Sequence, residues 1–412
     1  MDFPLTTTIG SYPIFPKHED VEYYEMMKSR GLEDVLDPHV WSTEAAVKEF
    51  VSSGIEVVST GQTRGDLYSI FLNPRFVKGI AWNGSEAYVK GRIERLGSSR
   101  KDDVRVAREI LPKQFQIKEP ITDAYTLAKF LKNRSSVYPD LKNLAVDINR
   151  KIVIPEIEEL QKEKLVSYIQ LDSPRIAAES IPEDYYTELY EEVMSVAKVP
   201  VVLHACGDTA RALSILSKTR VHALLLDFYH FPKLIDEVSR RNLDQALGVG
   251  ALDAQSPRVE TVAEVSRLLK RAVSRLGQRL EFVHPHCGQR SLDRSVAFEK
   301  NCVLTMARDD VFFGEAEEAS GRRSEQSRVE SGYFLVQSNG ESGEIVATYY
   351  DMKHRAVRRY RSRRAEDVLL AFSEESNKLG MDSVQLAKLA MELGRAETRM
   401  RLKRSGDEAS AL

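Results

Sequence analysis

Residues 199–206, VPVVLHAC, and residues 223–228, ALLLDF, decide the fold of this chain. Each is a short, nearly all-apolar run rich in branched residues, with a helical stretch before it and a polar residue at its C-terminal end. That is the pattern of a strand buried on both faces of a parallel sheet. Six further runs of the same kind occur: TTTIGSY (6–12), IEVVSTG (55–61), FQIKEPIT (115–122), SYIQLD (167–172), ALGVGALD (246–253) and LEFVHPHC (280–287). Amphipathic segments separate most of them, among them 185–198, 260–276 and 294–308. Eight βα units in succession predict an α/β fold, a closed (β/α)8 barrel. An open doubly wound sheet is the alternative, but the count favours closure. The first two units carry longer insertions, including a Gly- and charge-rich stretch near 78–104 that could overlie the barrel mouth.

The polar residues cluster at the strand ends, where such barrels carry their chemistry. His204 and Cys206 are two apart on one strand and therefore point the same way. Asp227 ends the next but one element, and Cys287 ends the last strand. Two thiolates, an imidazole and a carboxylate are ligands that zinc accepts. Ligands spread over three strand ends suggest an open catalytic site rather than a structural clip. The same residues also read as two ordinary buried cysteines beside a histidine, because free Cys is among the most buried residue types.

Composition sets limits on function. The chain has 412 residues, is 42% hydrophobic and 29% charged, and carries a formal charge of −3, values of a globular protein with no general affinity for nucleic acid. No apolar run approaches the roughly 20 residues of a membrane helix, and the first residues lack the basic and apolar regions of a secretory signal. Three widely separated cysteines do not form a disulfide framework. A cytoplasmic protein with reduced thiols is expected.

Domains are expected at 1–314, the barrel, and 330–405, a small α+β domain. Residues 315–329 form a polar linker and 406–412 a disordered tail. The small domain begins with an antiparallel meander, GYFLVQS, EIVATYYD and RAVRRYR, with turns at Asn339-Gly340 and near Lys353-His354. Two helical segments follow. In the second, Leu386, Leu389, Leu393 and Met400 lie near helical spacing and read as core. The basic run from His354 to Arg364 reads as a solvated strand face.

Four more segments lie at strand ends: Ile9-Gly10-Ser11, Gly61-Gln62, Asp172-Ser173-Pro174 and Gln255-Ser256-Pro257-Arg258. Together with the metal-type residues they resemble the catalytic domain of cobalamin-independent methionine synthases. TTTIGSYP is similar to that family's TTTIGSFP, IQLDSP to IQIDEP, LHAC to its His-x-Cys segment, ALDAQSPR to YDIHSPR, and HPHCGQRSL to NPDCGLKTR. The match runs in order over about residues 5–310.

The resemblance implies methyl transfer to a small thiol activated on zinc, most simply homocysteine. His204, Cys206 and Cys287 would be zinc ligands, with Asp227 where the family has a glutamate ligand. Ile9, Gly10, Ser11, Gln62, Asp172, Gln255 and Ser256 would line the substrate site, with Asp172 pairing with the ammonium group of homocysteine. Three departures bear on mechanism. Gln255 stands where the family has a histidine thought to protonate the departing folate nitrogen, and glutamine cannot supply a proton. The family's pterin-stacking Trp is missing from ITDAYTLAKF. Gln62 and Ser173 replace carboxylates. These departures point to a corrinoid donor, methylcobalamin or a corrinoid protein, since its cobalt leaves without a proton. Related readings on the same zinc site are a methylcobamide:coenzyme M-type transferase and an epoxide-opening thiol alkyltransferase. A non-catalytic zinc-binding scaffold is the reading outside enzymes. The C-terminal piece weakly resembles an uncharacterised domain of archaeal proteins linked to methanopterin-dependent methyl transfer. It reads equally as a packing or oligomerisation module.

Overall fold

The computed structural model describes residues 4–31, 37–111, 115–162, 164–241, 243–319, 333–338, 345–350 and 356–379, with isolated positions between 381 and 393. Two compact units divide at Phe312/Phe313. The first holds eight parallel strands: β1 Leu5–Thr6, β2 Val57–Val58, β3 Gln116–Thr122, β4 Tyr168–Asp172, β5 Val201–Ala205, β6 Ala223–Asp227, β7 Ala246–Leu252 and β8 Leu280–Pro285. Each pairs with its sequence neighbour from β2 to β8, and β8 pairs with β1. A single bridge, Thr7 to Val57, joins β1 to β2 and closes the ring. The expected (β/α)8 barrel is therefore the fold.

β1 and β2 are much shorter than the sequence runs suggested. Their ladders end at Thr7 and Val58, and a few residues on the chains turn at Gly10 and Gly61, both with positive φ, a conformation that glycine adopts without steric cost. The insertion after β2 is an antiparallel hairpin, Val77–Asn83 with Glu86–Arg95, joined by a short third strand Lys132–Asn133. Its Ile93 N–H donates to Tyr138 Oη at 3.0 Å. Beneath it, the fully buried Arg100 donates to Glu119 on β3 at 2.6 Å and to Asp103 at 2.9 Å. A buried guanidinium needs such partners on every side, so this cluster ties the insertion to the barrel wall.

Alternation along the strands sorts the side chains into two sets. Leu203, Ala205, Leu224, Leu226, Val249 and Val283 join the large core between sheet and helices. Val57, Tyr168, Val202, Ala223, Leu225 and Phe282 form a separate apolar cluster inside the ring, and Ile9 packs with them. Two residues further along several of these strands come polar groups: Gln170 on β4, His204 on β5 and His284 on β8. Lys118 of β3 lies among them. All four are buried. One more step brings Asp172, Cys206 and His286. β7 supplies no side chain at Gly248, where a Cβ would lie 2.2 Å from Leu225 Cδ2 and 3.0 Å from the His284 ring.

The helices follow local rules. Val262–Leu276 is opened by a capping box in which Thr261 and Glu264 satisfy each other's backbone N–H groups. Pro38 begins the helix Pro38–Ser52, capped by Asp37. The helix containing Cys302 runs Arg294–Ala319, so it continues through the unit boundary and through the first residues of the expected linker. Cys302 is buried, as expected of a core residue.

The second unit pairs three antiparallel strands, Tyr333–Ser338, Ile345–Tyr350 and Ala356–Ser362, with a helix Ala365–Leu379. Its core gathers Ile345, Ala347, Tyr349, Val368 and Phe372 with Leu389 and Leu393, and Leu386 packs at its edge. Arg358, Arg359, Arg361, Arg363 and Arg364 are exposed, and Arg358 pairs with Glu375. The turns at 339–340 and 353–354, the linker from 320, Met400 and the expected tail at 406–412 lie outside the described residues. Among the described residues, no helix is long and apolar enough to cross a membrane.

Candidate metal and substrate site

The ring's C-terminal mouth brings His204, Cys206 and Cys287 together, with one ligand atom of each within 4.8 Å of the others. His204 is buried, and its Nδ1 donates to the Leu225 carbonyl at 3.2 Å. That bond leaves Nε2 as the nitrogen free to face the thiols; burial pulls the His204 pKa down, but the hydrogen bond and charge of Cys206 push it up overall. A hydrogen bond from Cys287 draws the Cys206 thiol down to about 4, and the same bond together with burial pushes Cys287 up. Two sulfurs hydrogen-bonded to each other, one of them also to an imidazole, are the donor set of a soft-metal site. Metal–ligand bonds of about 2.0–2.3 Å set tetrahedral ligand atoms roughly 3.3–3.8 Å apart, so these three donors fit such an ion with small adjustments.

Asp227 does not join them. Its carboxylate accepts from His230 Nδ1 at 3.0 Å and from the His230 backbone N–H at 3.1 Å. It belongs to a second group, Asp227, His230 and His286, whose ligand atoms also lie within 4.8 Å of one another. The sequence leaves open whether the shorter Asp227 side chain reaches the thiol group or leaves three protein ligands, and in the structure its carboxylate faces His230. An aspartate is one methylene shorter than glutamate, and a histidine three residues on, in the turn after the strand, captures it.

The remaining expected residues frame the mouth. Ile9 packs its side chain into the barrel interior and leaves only its backbone to the pocket. Gly10 has φ +53°, and Ser11 accepts from the Gln289 N–H at 2.9 Å. The loop after Cys287 comes so close that a Cβ at Gly288 would lie 3.2 Å from Ser11 N. Gln62 is buried, also at positive φ, and its side chain reaches the Pro120 carbonyl at 3.4 Å. Asp172 is buried and accepts from Gln170 Nε2 at 2.6 Å; burial pushes its pKa up to about 6. Ser173 turns away from the pocket and shares a hydrogen bond of 2.8 Å with Tyr186. The Gln255 and Ser256 backbones are held by the Asp253 carboxylate at 2.9 and 3.3 Å, and Gln255 itself is exposed.

Two groups had no role in the sequence reading. Lys118 lies inside the ring, donating to the Thr8 carbonyl at 2.8 Å and to Gln170 Oε1 at 2.5 Å. Burial brings it down to about 7. A lone lysine within the otherwise strand-like FQIKEPIT was its signal. His230 was the second, marked by its spacing of three from Asp227. His286 joins the loop of Gln255, since its Nδ1 accepts from the Ala254 N–H at 2.9 Å.

The fold is a parallel barrel whose C-terminal mouth gathers two thiols and one imidazole. Within it, residues 3–309 match the family model described as the catalytic domain of cobalamin-independent synthase, and the chain belongs to that family. It is 27% identical over 310 residues to a methionine synthase of Methanothermobacter thermautotrophicus, covering 74% of this chain and 99% of that one. It is 28% identical over 310 residues to a methionine synthase of Methanocaldococcus jannaschii, with coverage of 72% and 96%. Among solved structures, a B12-independent methionine synthase from a Shewanella species superposes with a TM-score of 0.64 at 19% identity, covering 77% and 100%. A methyltransferase from Methanosarcina mazei gives 0.54 at 14%, covering 76% and 95%. At those identities the superpositions speak for the fold.

Proposed function

We propose that this chain is a methyltransferase that binds zinc through His204, Cys206 and Cys287 and methylates the sulfur of homocysteine to give methionine. The observation that carries this reading is the meeting of His204, Cys206 and Cys287 at the barrel mouth, with one ligand atom of each within 4.8 Å of the others. Zinc bound there would hold the substrate sulfur as thiolate, the nucleophilic form, at neutral pH. With Asp227 engaged by His230, three protein ligands leave the fourth position open to that sulfur.

The chain's own groups supply recognition. Asp172, oriented by Gln170, would pair with the substrate ammonium in a site where a charge-assisted hydrogen bond is strong. The backbone of Ile9 to Ser11, packed against Gly288, would face the carboxylate end. Gln62 offers a neutral amide where a second carboxylate would add charge, so one ion pair carries the selectivity for an amino acid over a plain thiol.

The donor reading turns on proton supply. In transfer from a methylated nitrogen, the S–CH3 bond forms as the C–N bond breaks, and the electron pair left on nitrogen must take a proton. Gln255 offers none. His286, bonded to residue 254 of the same loop, and His230, 3.5 Å from Asp253, are imidazoles within that region. A family described as cobalamin-independent supports an N-methyl reduced pterin of the folate type. A corrinoid donor is the second reading, favoured by the exposed Gln255 and by the absence of a Trp in residues 121–130. The test is turnover of zinc-loaded protein with homocysteine or coenzyme M crossed with methyltetrahydrofolate or methylcobalamin. Methionine formed from either donor supports the acceptor reading, and the donor that works decides the second question. No methylation of homocysteine by either overturns the proposal.

A further inference from the structure

We propose that the mouth of the barrel holds a second divalent cation, bound by Asp227, His230 and His286 and distinct from the thiolate site. The three residues come from the ends of β6 and β8 and the loop after β6, and their ligand atoms lie within 4.8 Å of one another. Asp227 and His286 are buried, whereas His230 keeps 37% of its side chain exposed, so the group is reachable from solvent on one side only. The His230 and His286 rings meet edge to face with centroids 4.4 Å apart. Asp253 adds a second carboxylate at the rim, 3.5 Å from His230 Nε2 and 3.7 Å from His286 Nδ1.

Two imidazoles with one or two carboxylates form a nitrogen–oxygen donor set. Its preference is for zinc, iron(II), cobalt(II) or manganese(II), in contrast to the sulfur-rich group next to it. The charge balance favours occupation. Asp227 and Asp253 bring two carboxylates to a partly desolvated place, where each meets one or both of the two imidazoles. The two sites meet in the chain, because His286 immediately precedes Cys287. They divide the donors by chemistry, soft sulfur to one and hard oxygen to the other, and the division depends on Asp227 facing His230. A cation there would bring fixed positive charge to the Asp253–Arg258 loop, the segment where Gln255 leaves none.

The experiment titrates metal-free full-length protein with cobalt(II) and with zinc, reading bound metal by elemental analysis and thiolate ligation by the sulfur-to-cobalt charge-transfer band. The wild type is expected to bind two equivalents. His230→Ala, at a half-exposed position that leaves the core intact, should bind one and keep the charge-transfer band. Cys206→Ser should lose the band and keep one equivalent. A wild type that binds a single equivalent overturns the second site. So does a His230→Ala variant that still binds two, or one that loses the band with its metal, because His230 would then serve the thiolate site. Absence of the band in the wild type would instead strike the zinc reading of the proposed function, so the two failures are distinguishable.

Discussion

Gln170 donates through Nε2 to Asp172 Oδ1 at 2.6 Å while its own Oε1 accepts from Lys118. A buried ammonium, an amide and a buried carboxylate thus form one polarised chain across the barrel interior, ending at the position proposed for the substrate's ammonium group. In a low-dielectric interior such chains are stronger than their separate bonds, and losing one member leaves the others unpaired.

Asp172→Asn should raise the homocysteine KM roughly 10- to 100-fold, the worth of one charge-assisted hydrogen bond, and barely change it for a thiol without an amine. Steady-state kinetics with homocysteine and coenzyme M check this; equal losses for both thiols would separate Asp172 from the ammonium.

The same carboxyl predicts a pH dependence. Its pKa is pushed up to about 6, so it is ionised above that value and neutral below it. The ammonium of homocysteine stays charged throughout, so binding should weaken as pH falls through 6, by about tenfold for each further unit. A homocysteine KM that stays flat from pH 7 to pH 5 would count against the pairing.

Lys118 gives a stability test with the opposite course. Its folded pKa is about 7, below the ordinary value of about 10.4 for an unfolded lysine. Between those values the unfolded chain binds more protons, so this group makes stability rise with pH; below 7 the cost of burying the charge is fully present. Lys118→Met should remove that rise, which is on the order of a few kcal/mol. Urea midpoints of wild type and variant at pH 7 and pH 9 measure it, and parallel changes in both would refute the assignment.

Cys206→Ser and Cys287→Ser should each abolish thiolate-bound metal while circular dichroism stays that of a folded barrel. Cys302→Ala should keep it, at a cost of about 1 kcal/mol for a small buried cavity. Retention of thiolate-bound metal after both Cys206 and Cys287 are replaced would remove the metal centre as described.

Gly248→Ala should lower stability by about 1–3 kcal/mol through overpacking, since the added methyl meets Leu225 and His284. A thermal midpoint unchanged from wild type would show that the barrel interior yields more easily than its packing suggests.

The barrel was legible because its strands announce themselves twice, by apolar runs and by polar residues two apart at their ends. Val202 and His204 on β5, with Cys206 just past its end, are the clearest instance. Cys206 and Cys287 met because both lie at the ends of strands facing one mouth. What the sequence could not tell was side-chain direction beyond the last strand residue. Asp227 has the expected backbone position, yet it is His230, three residues on, that decides where its carboxylate goes. Lys118 was hidden for a related reason: a strand facing a barrel interior can bury a charge if Thr8 and Gln170 supply acceptors, and those partners are distant in the chain. The hairpin Val77–Arg95 lacks the clean alternation that would have marked it, because Gly79 and Gly91 interrupt both its strands.

The sorting of β5 into inward Val202 and His204, continued by Cys206 after its end, and outward Leu203 and Ala205 has a bearing on how this chain can change over generations. Insertions in the loops lengthen the rim and leave the interior untouched, as the long segment between β2 and β3 already demonstrates. One residue added or removed within β5 is a different event, because it turns every following side chain to the opposite face. Leu203 and Ala205 would then line the ring, and the imidazole and thiol would press into helices that have no room for them. New specificities in this lineage are therefore open to lengthening at the mouth and closed to any change of strand length.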